Sequence, residues 1–166
     1  MAGTLRAALR SVPEADVQHV GSTSVPGLAA KPVLDVDVIV PAARVPAAVA
    51  ALESSGYVHR GDLGVSGREA FTAPDQDPPR HVYVCARGAV HVRNHLAVPE
   101  VLRRRADLRE EYAAVKPALA ADPDMDVDRY LAGKSAILGK VLEAAGPEVF
   151  TPAELRATRS LNDPTG

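Results

Sequence analysis

The sharpest pattern in the chain is the alternation across Val33–Val40 (VLDVDVIV). In an extended strand, Leu34, Val36, Val38 and Val40 fall on one side, and Val33, Asp35, Asp37 and Ile39 on the other. Val17–Val20, Tyr57–Arg60, Arg68–Thr72 and His81–Cys85 read as shorter strands. The polar, proline-rich run APDQDPPR separates the last two. Thr4–Ser11 carries a short amphipathic pattern with Leu5, Ala8 and Leu9 on one side. Val45–Ser54 predicts a helix, with Pro46 in its first turn and Gly56 following its end. Leu28–Ala30 reads as a single helical turn that Pro32 terminates. From about Pro99 the apolar period becomes 3.6. Ala106–Ala120 and Asp126–Ala145 predict long helices, the second with Asp126 or Asp128 as its cap. PAELRATRSL is expected to form a last helix or a loose tail.

Strands gathered early and helices late predict an α+β fold, a mixed sheet with helices packed on one side and a helical C-terminal half. A chain of 166 residues has room for one domain, expected over residues 1–150, with a C-terminal helix or tail at 151–166. Apolar residues at 46% and charged residues at 24% exclude a wholly disordered chain, a collagen and a coiled coil. The net charge of −2 supplies no global basic field, which argues against nucleic acid as a partner. A single cysteine, Cys85, fits a reducing compartment. No stretch resembles a signal peptide or approaches the ~20 apolar residues of a membrane span, so a cytoplasmic chain without a membrane partner is expected.

Asp35 and Asp37 carry the most chemical information. Residues i and i+2 of a strand share a face, about 6.5–7 Å apart. Two carboxylates on a half-buried strand are costly unless something positive lies between them. Mg²⁺ ions fill that role in phosphoryl-transfer sites. The plainer alternative is an edge strand turning its polar side to water. Upstream, the run His19-Val20-Gly21-Ser22-Thr23-Ser24 follows a strand and leads to Pro26-Gly27. Glycine there admits a phosphate close to the backbone, and N–H groups at a helix start attract anions. A phosphate-holding turn followed on the next strand by Asp-x-Asp is a complete arrangement for a nucleoside triphosphate.

The segment HVGSTSVPGLAAKPVLDVDVIV resembles the signature of the GrpB family, a branch of the nucleotidyltransferase superfamily that shares its fold with DNA polymerase β. HVYVCARG, RNHLAVPEVLRRRADLREEYAAVK and RYLAGKSAIL are similar to that family's later strand, long helix and final helix, so the likeness runs from about Val17 to Leu142. It implies that Gly21 and Ser22 lie beside the triphosphate and that Asp35 and Asp37 bind divalent metal. Superfamily catalysts usually carry a third carboxylate on a later strand. His81–Cys85 carries none, and Glu69 on the preceding strand is the nearby substitute. Most of the segment that precedes the Gly-Ser strand in many relatives is also expected to be missing.

His81 and Tyr83 share a strand face and are candidate cleft residues, against a plain polar face. Arg93 could hold a phosphate bidentately, although an exposed helical arginine is commoner. Tyr112 with Lys116 and Tyr130 with Lys134 have i, i+4 spacing and match GrpB-like positions. In a nucleotide site each ring would pack on base or sugar and each lysine would neutralise phosphate. Gly133-Lys134-Ser135 imitates the end of a P-loop, but Asp128 stands where its first glycine is required. His91 and His95 lack the further ligands of a zinc site. Arg103, Arg104 and Arg105 are followed by Asp107, Glu110 and Glu111 and read as a solvated helix face.

The resemblance therefore implies a Mg²⁺-dependent nucleotidyltransferase that moves a nucleoside monophosphate from a triphosphate to an acceptor. The alternative is a non-catalytic nucleotide-binding module, or a regulatory domain that stabilises a protein partner, as GrpB-like domains joined to dephospho-CoA kinase suggest.

Overall fold

The computed structural model describes residues 2–75, 77–121 and 127–161, with side chains at all of these but 2, 116, 118–121, 127–133 and 157–161. The chain divides into two compact units. The first comprises Met1–Ser24 and Ala30–Arg93, and the second Val25–Ala29 and Asn94–Gly166.

The first unit is built on a five-stranded sheet in the order β1-β2-β5-β4-β3. Its strands are β1 (Asp16–Val20), β2 (Leu34–Val40), β3 (Val58–His59), β4 (Arg68–Thr72) and β5 (Arg80–Ala86). β2 runs antiparallel to β1 and parallel to β5, and the remaining pairs are antiparallel, so the sheet is mixed as expected. The alternation of β2 becomes two different surfaces. Val36, Val38 and Val40 join Val82 and Val84 of β5 in the main core, together with Phe71 of β4. Two helices, α1 (Ala2–Ala8) and α2 (Val45–Ser54), cover this face with Leu5, Ala48 and Leu52. The apolar stripe of each helix has one place to be buried, and this sheet face supplies it.

β5 opens on a buried arginine. The Arg80 guanidinium donates to both carboxylate oxygens of Asp75, at 2.8 and 2.9 Å, and to the Pro78 carbonyl at 3.1 Å. The side chain is 4% exposed, so the fork of hydrogen bonds anchors the polar loop before β5. Arg80 holds the Asp75 carboxyl down at about 2, below its ordinary 3.8. A depressed carboxyl stabilises the fold above its unfolded pKa and loses that contribution as pH falls through the folded one. The urea midpoint should therefore drop between about pH 4 and pH 2, and Asp75→Asn should flatten that part of the profile; an unchanged slope in Asp75→Asn would count against the anchor.

The second unit is helical: the remainder of α3 (Val90–Arg104), then α4 (Ala106–Ala121), α5 (Val127–Ala144) and α6 (Pro152–Leu161). Leu108 and Tyr112 of α4 pack with Ile137 and Val141 of α5, with Val101 and Leu102 of α3, and with Val25 and Leu28 from the segment after the Gly-Ser turn. α6 opens on a capping box. Thr151 Oγ1 accepts the Glu154 N–H at 3.2 Å, and Glu154 Oε2 accepts the Thr151 N–H at 2.9 Å. Of the two forms expected for this segment, the structure takes the helix.

Four boundaries differ from the sequence reading. α3 begins at Val90, well before Pro99, which lies inside it. Proline favours a first turn, so the pattern of Pro99 imitated a helix start. The segment at Leu28 forms a turn, its N–H donating to the Val25 carbonyl at 3.2 Å, while the short 3-10 turn falls earlier, at Ser22–Ser24. The expected strand Tyr57–Arg60 shrinks to Val58–His59. Asp128 lies within α5 and does not cap it, and Asp126 lies outside the described residues.

Candidate functional site

The second face of the sheet carries Asp35 and Asp37. Register sets its rows: Val20, Asp35, His81 and Thr72 lie abreast, then Gln18, Asp37, Tyr83 and Ala70, then Asp16, Ile39, Cys85 and Arg68. β2 is an interior strand, so Asp35 and Asp37 do not belong to an exposed edge. Asp37 is wholly buried, 0% exposed, and Asp35 is half-buried. The apolar end of the face is closed by Val92, in the first turn of α3, against Ile39 and Cys85. Taking a carboxylate group out of water carries a desolvation cost that surrounding polar or positive groups must offset.

The chain reaches this face through Gly21, at the end of β1. Its φ of +73° is one that glycine adopts at little cost. A Cβ built there would lie 2.5 Å from Asp35 Oδ2, so the backbone turns directly against the carboxylate. The turn is closed from within: the Ser24 hydroxyl and backbone N–H both donate to the Gly21 carbonyl, at 2.7 and 3.1 Å. Ser22 begins the 3-10 turn that follows.

His81 Nδ1 lies 3.0 Å from Asp35 Oδ1, the distance of an N–H donated to the carboxylate, and the imidazole is 61% exposed. Its ring is tilted against Tyr83 at 6.4 Å. Burial pushes the Tyr83 hydroxyl above its ordinary pKa; the guanidinium of Arg68 opposes that shift, and the charges of Asp35 and Asp37 add to it. Burial likewise raises the Cys85 thiol, with Asp37 beside it contributing, so the thiol stays protonated. Cys85 is a buried member of this face.

Gly21, Ser22, Asp35, Asp37, His81, Tyr83 and Arg93 thus belong to the first unit. Glu69 belongs there too, but on the opposite face. It lies abreast of Val84, and His59 Nε2 contacts its Oε2 at 2.6 Å, with the His59 ring stacked on Phe71. Glu69 therefore does not join the two aspartates as a third carboxylate. Arg93 sits in the first turn of α3, half-buried, its N–H donating to the Ala89 carbonyl at 3.2 Å. Tyr112, Lys116, Tyr130 and Lys134 all belong to the second unit. Tyr112 is buried in that unit's core, which accounts for its ring without a base to stack on. Lys134 is half-buried on α5, while the side chains of Lys116 and Tyr130 lie outside the described residues.

One residue of this face escaped the sequence reading. Arg68 lies abreast of Cys85, and its guanidinium carbon sits 4.7 Å from the centre of the Tyr83 ring. The alternation Arg68, Ala70, Thr72 was visible, but which side of the sheet it faced required the pairing of β4 with β5.

None of the described helices is long and apolar enough to cross a membrane. Comparison with known proteins agrees with the fold. A crystal structure of the conserved protein GrpB from Enterococcus faecalis superposes with a TM-score of 0.68 at 34% identity, covering 87% of each chain. The UPF0157 protein SCO7215 of Streptomyces coelicolor is 38% identical over 136 residues, covering 80% of this chain and 70% of its own. The UPF0157 protein YqkA of Bacillus subtilis is 32% identical over 122 residues, 71% of this chain but 35% of its own length, so this chain matches about a third of YqkA. The family profile described as GrpB protein matches residues 1–144. The chain belongs to the GrpB family, and its fold is consistent with that family's place in the nucleotidyltransferase superfamily.

Proposed function

We propose that this chain binds a nucleoside triphosphate with Mg²⁺ on the Asp35–Asp37 face and transfers its nucleoside monophosphate to an acceptor. The observation that carries this reading is the closure of the Gly21 turn on the Asp35 carboxylate, with Asp37 buried one row away on the same strand. The donor set suits a hard cation that arrives with its substrate. Mg²⁺ commonly takes one or two carboxylates and completes its shell with phosphate oxygens and water. Among the described residues no group of three or more His, Cys, Asp or Glu gathers that could hold an ion, so an all-protein cage does not fit. When bound, Mg²⁺ would neutralise triphosphate charge and polarise the phosphoryl group.

The chain's own residues would do the positioning. Asp35 and Asp37 would hold the ion, and the His81 imidazole fixes the orientation of the Asp35 carboxylate. Gly21 and Ser22 would set the terminal phosphates. Arg93, in the same unit, would balance phosphate charge. An acceptor oxygen would then form its bond to the α-phosphorus as the α–β phosphoanhydride bond breaks, with pyrophosphate leaving and the acceptor's proton lost to solvent. Positioning and electrostatics supply most of the acceleration in phosphoryl transfer.

A second reading, a nucleotide-binding module that serves a protein partner without turnover, draws on a specific observation. On the aspartate face β5 presents His81, Tyr83 and Cys85, and Glu69 faces away. The site thus has two carboxylates on β2 and none on β5. Calorimetric titration with ATP, GTP, CTP and UTP, each with Mg²⁺ and again with EDTA, tests both readings. Binding of at least one nucleotide should require Mg²⁺ and vanish in the Asp35→Asn, Asp37→Asn double variant while the circular dichroism spectrum persists. Affinity untouched by EDTA or by the double substitution would sink the metal-dependent site. Binding with no pyrophosphate release across a panel of hydroxyl and phosphate acceptors would favour the module.

A further inference from the structure

A half-buried arginine normally faces a carboxylate, because an uncompensated charge in a partly dry site is costly. Arg68 is half-buried, and its side chain makes no hydrogen bond or ion pair within the described residues; its Nε is buried and unsatisfied. Its contact is with the face of the Tyr83 ring, 4.7 Å from guanidinium carbon to centroid. A cation–π contact of this kind restrains the guanidinium without using its N–H groups, and the terminal Nη donors of an arginine can take two oxygens of one phosphate. Tyr83 is itself abreast of Asp37, so the stacked cation and the two carboxylates share one face of one unit. Positive charge is needed at some distance from the carboxylates if a polyanion is to lie across both. Arg68 supplies it without depending on either lysine of the helical unit.

We propose that Arg68, held over the Tyr83 ring, forms a phosphate-binding subsite on the Asp35–Asp37 face. The subsite rests on the nucleotide reading only for the owner of the phosphate, the triphosphate tail being the expected one. Its ligand class is a phosphate-bearing anion, and Tyr83 is its positioning residue.

Inorganic tripolyphosphate in EDTA, titrated calorimetrically into the full chain, isolates this subsite from the metal. The wild-type chain should bind it, Arg68→Gln should weaken it on the order of tenfold or more, and Arg68→Lys should fall between. The Asp35→Asn, Asp37→Asn variant should bind metal-free tripolyphosphate at least as tightly as wild type, since it has lost two negative charges. No binding by the wild-type chain, or equal binding by a folded Arg68→Gln, overturns the subsite. Should Arg68→Gln fail to fold, Arg68→Lys carries the comparison, and unchanged affinity in it has the same meaning. If Arg68→Gln weakens ATP and tripolyphosphate alike, the nucleotide owns the phosphate. If only tripolyphosphate weakens, a phosphate on the acceptor owns it. A subsite that responds as expected in a chain whose ATP binding ignores Mg²⁺ would keep Arg68 and discard the metal reading, so the two failures are distinguishable.

Discussion

Gly21→Ala is expected to remove Mg²⁺-dependent nucleotide binding, whereas Gly27→Ala is expected to leave it intact. Both glycines hold nearly the same left-handed backbone, φ +73° and +77°. A side chain in that region costs roughly 1–2 kcal/mol, so both variants should lose about that much stability in urea. They differ in what the new methyl group meets. At Gly27 nothing lies within 4 Å, while at Gly21 the methyl would lie 2.5 Å from Asp35 Oδ2 and 3.2 Å from Asp35 Cβ and Cγ. Asp35 is a short side chain on an interior strand, and its other oxygen is engaged by His81, so it has little room to yield. The carboxylate must swing or the turn must lift. Either movement separates the Gly-Ser turn from Asp35 and Asp37, and nucleotide affinity should fall at least about tenfold, the effect of losing one charge-assisted contact. Equal affinity in the two variants would show that the close approach at Gly21 serves only the fold.

Leu52→Ala should produce the largest loss of stability. Leu52 ends the buried stripe of α2, is 0% exposed and packs in the core behind β2 with Val36, Val38 and Val40. Truncation of a wholly buried leucine costs about 2–5 kcal/mol through lost transfer energy and the cavity left behind. Against a typical total of about 5–15 kcal/mol, that leaves the sheet unit marginal. Leu63→Ala, at a residue 63% exposed, should change the urea midpoint by no more than about 0.5 kcal/mol equivalent. The comparison separates the two faces of β2. Nucleotide affinity of the folded Leu52→Ala chain should match wild type, because the cavity opens on the side away from Asp35 and Asp37. A drop in affinity at full folding would mean that the core face sets the position of the carboxylates.

Much of the sheet unit was legible one element at a time. β2 was readable because its alternation is long and clean, and α2 because Pro46 and Gly56 bracket it where proline and glycine are tolerated. The capping pair Thr151 and Glu154 makes α6 readable in retrospect, since each side chain satisfies the other's backbone. The arginine run also behaves as its neighbours predict: Arg103 and Arg104 pair with Glu100, and Arg105 with Asp107. The start of α3 was not legible. Proline is permitted in a first turn as well as in an irregular interior, and only the packing of Val92, Val98, Val101 and Leu102 shows where that helix begins.

That Asp35 and Asp37 share a side of one strand, that a glycine turn precedes them, and that the chain carries a GrpB signature can all be read from residue order alone. These are local properties, set by the period of two in an extended chain and by residue types at fixed spacing. Which other residues join them depends on how the strands pair. Each strand alternates, but the phase of one strand against another is set by hydrogen-bond register, and a slip of one residue exchanges every side chain between faces. Register places Glu69 behind the sheet with His59, and Arg68 in front of it on Tyr83. It sets His81 against Asp35 across a parallel pair whose members are 46 residues apart in sequence. The close approach of Gly21 to Asp35 likewise needs the β1–β2 pairing, because no pattern in either segment alone encodes a distance between them.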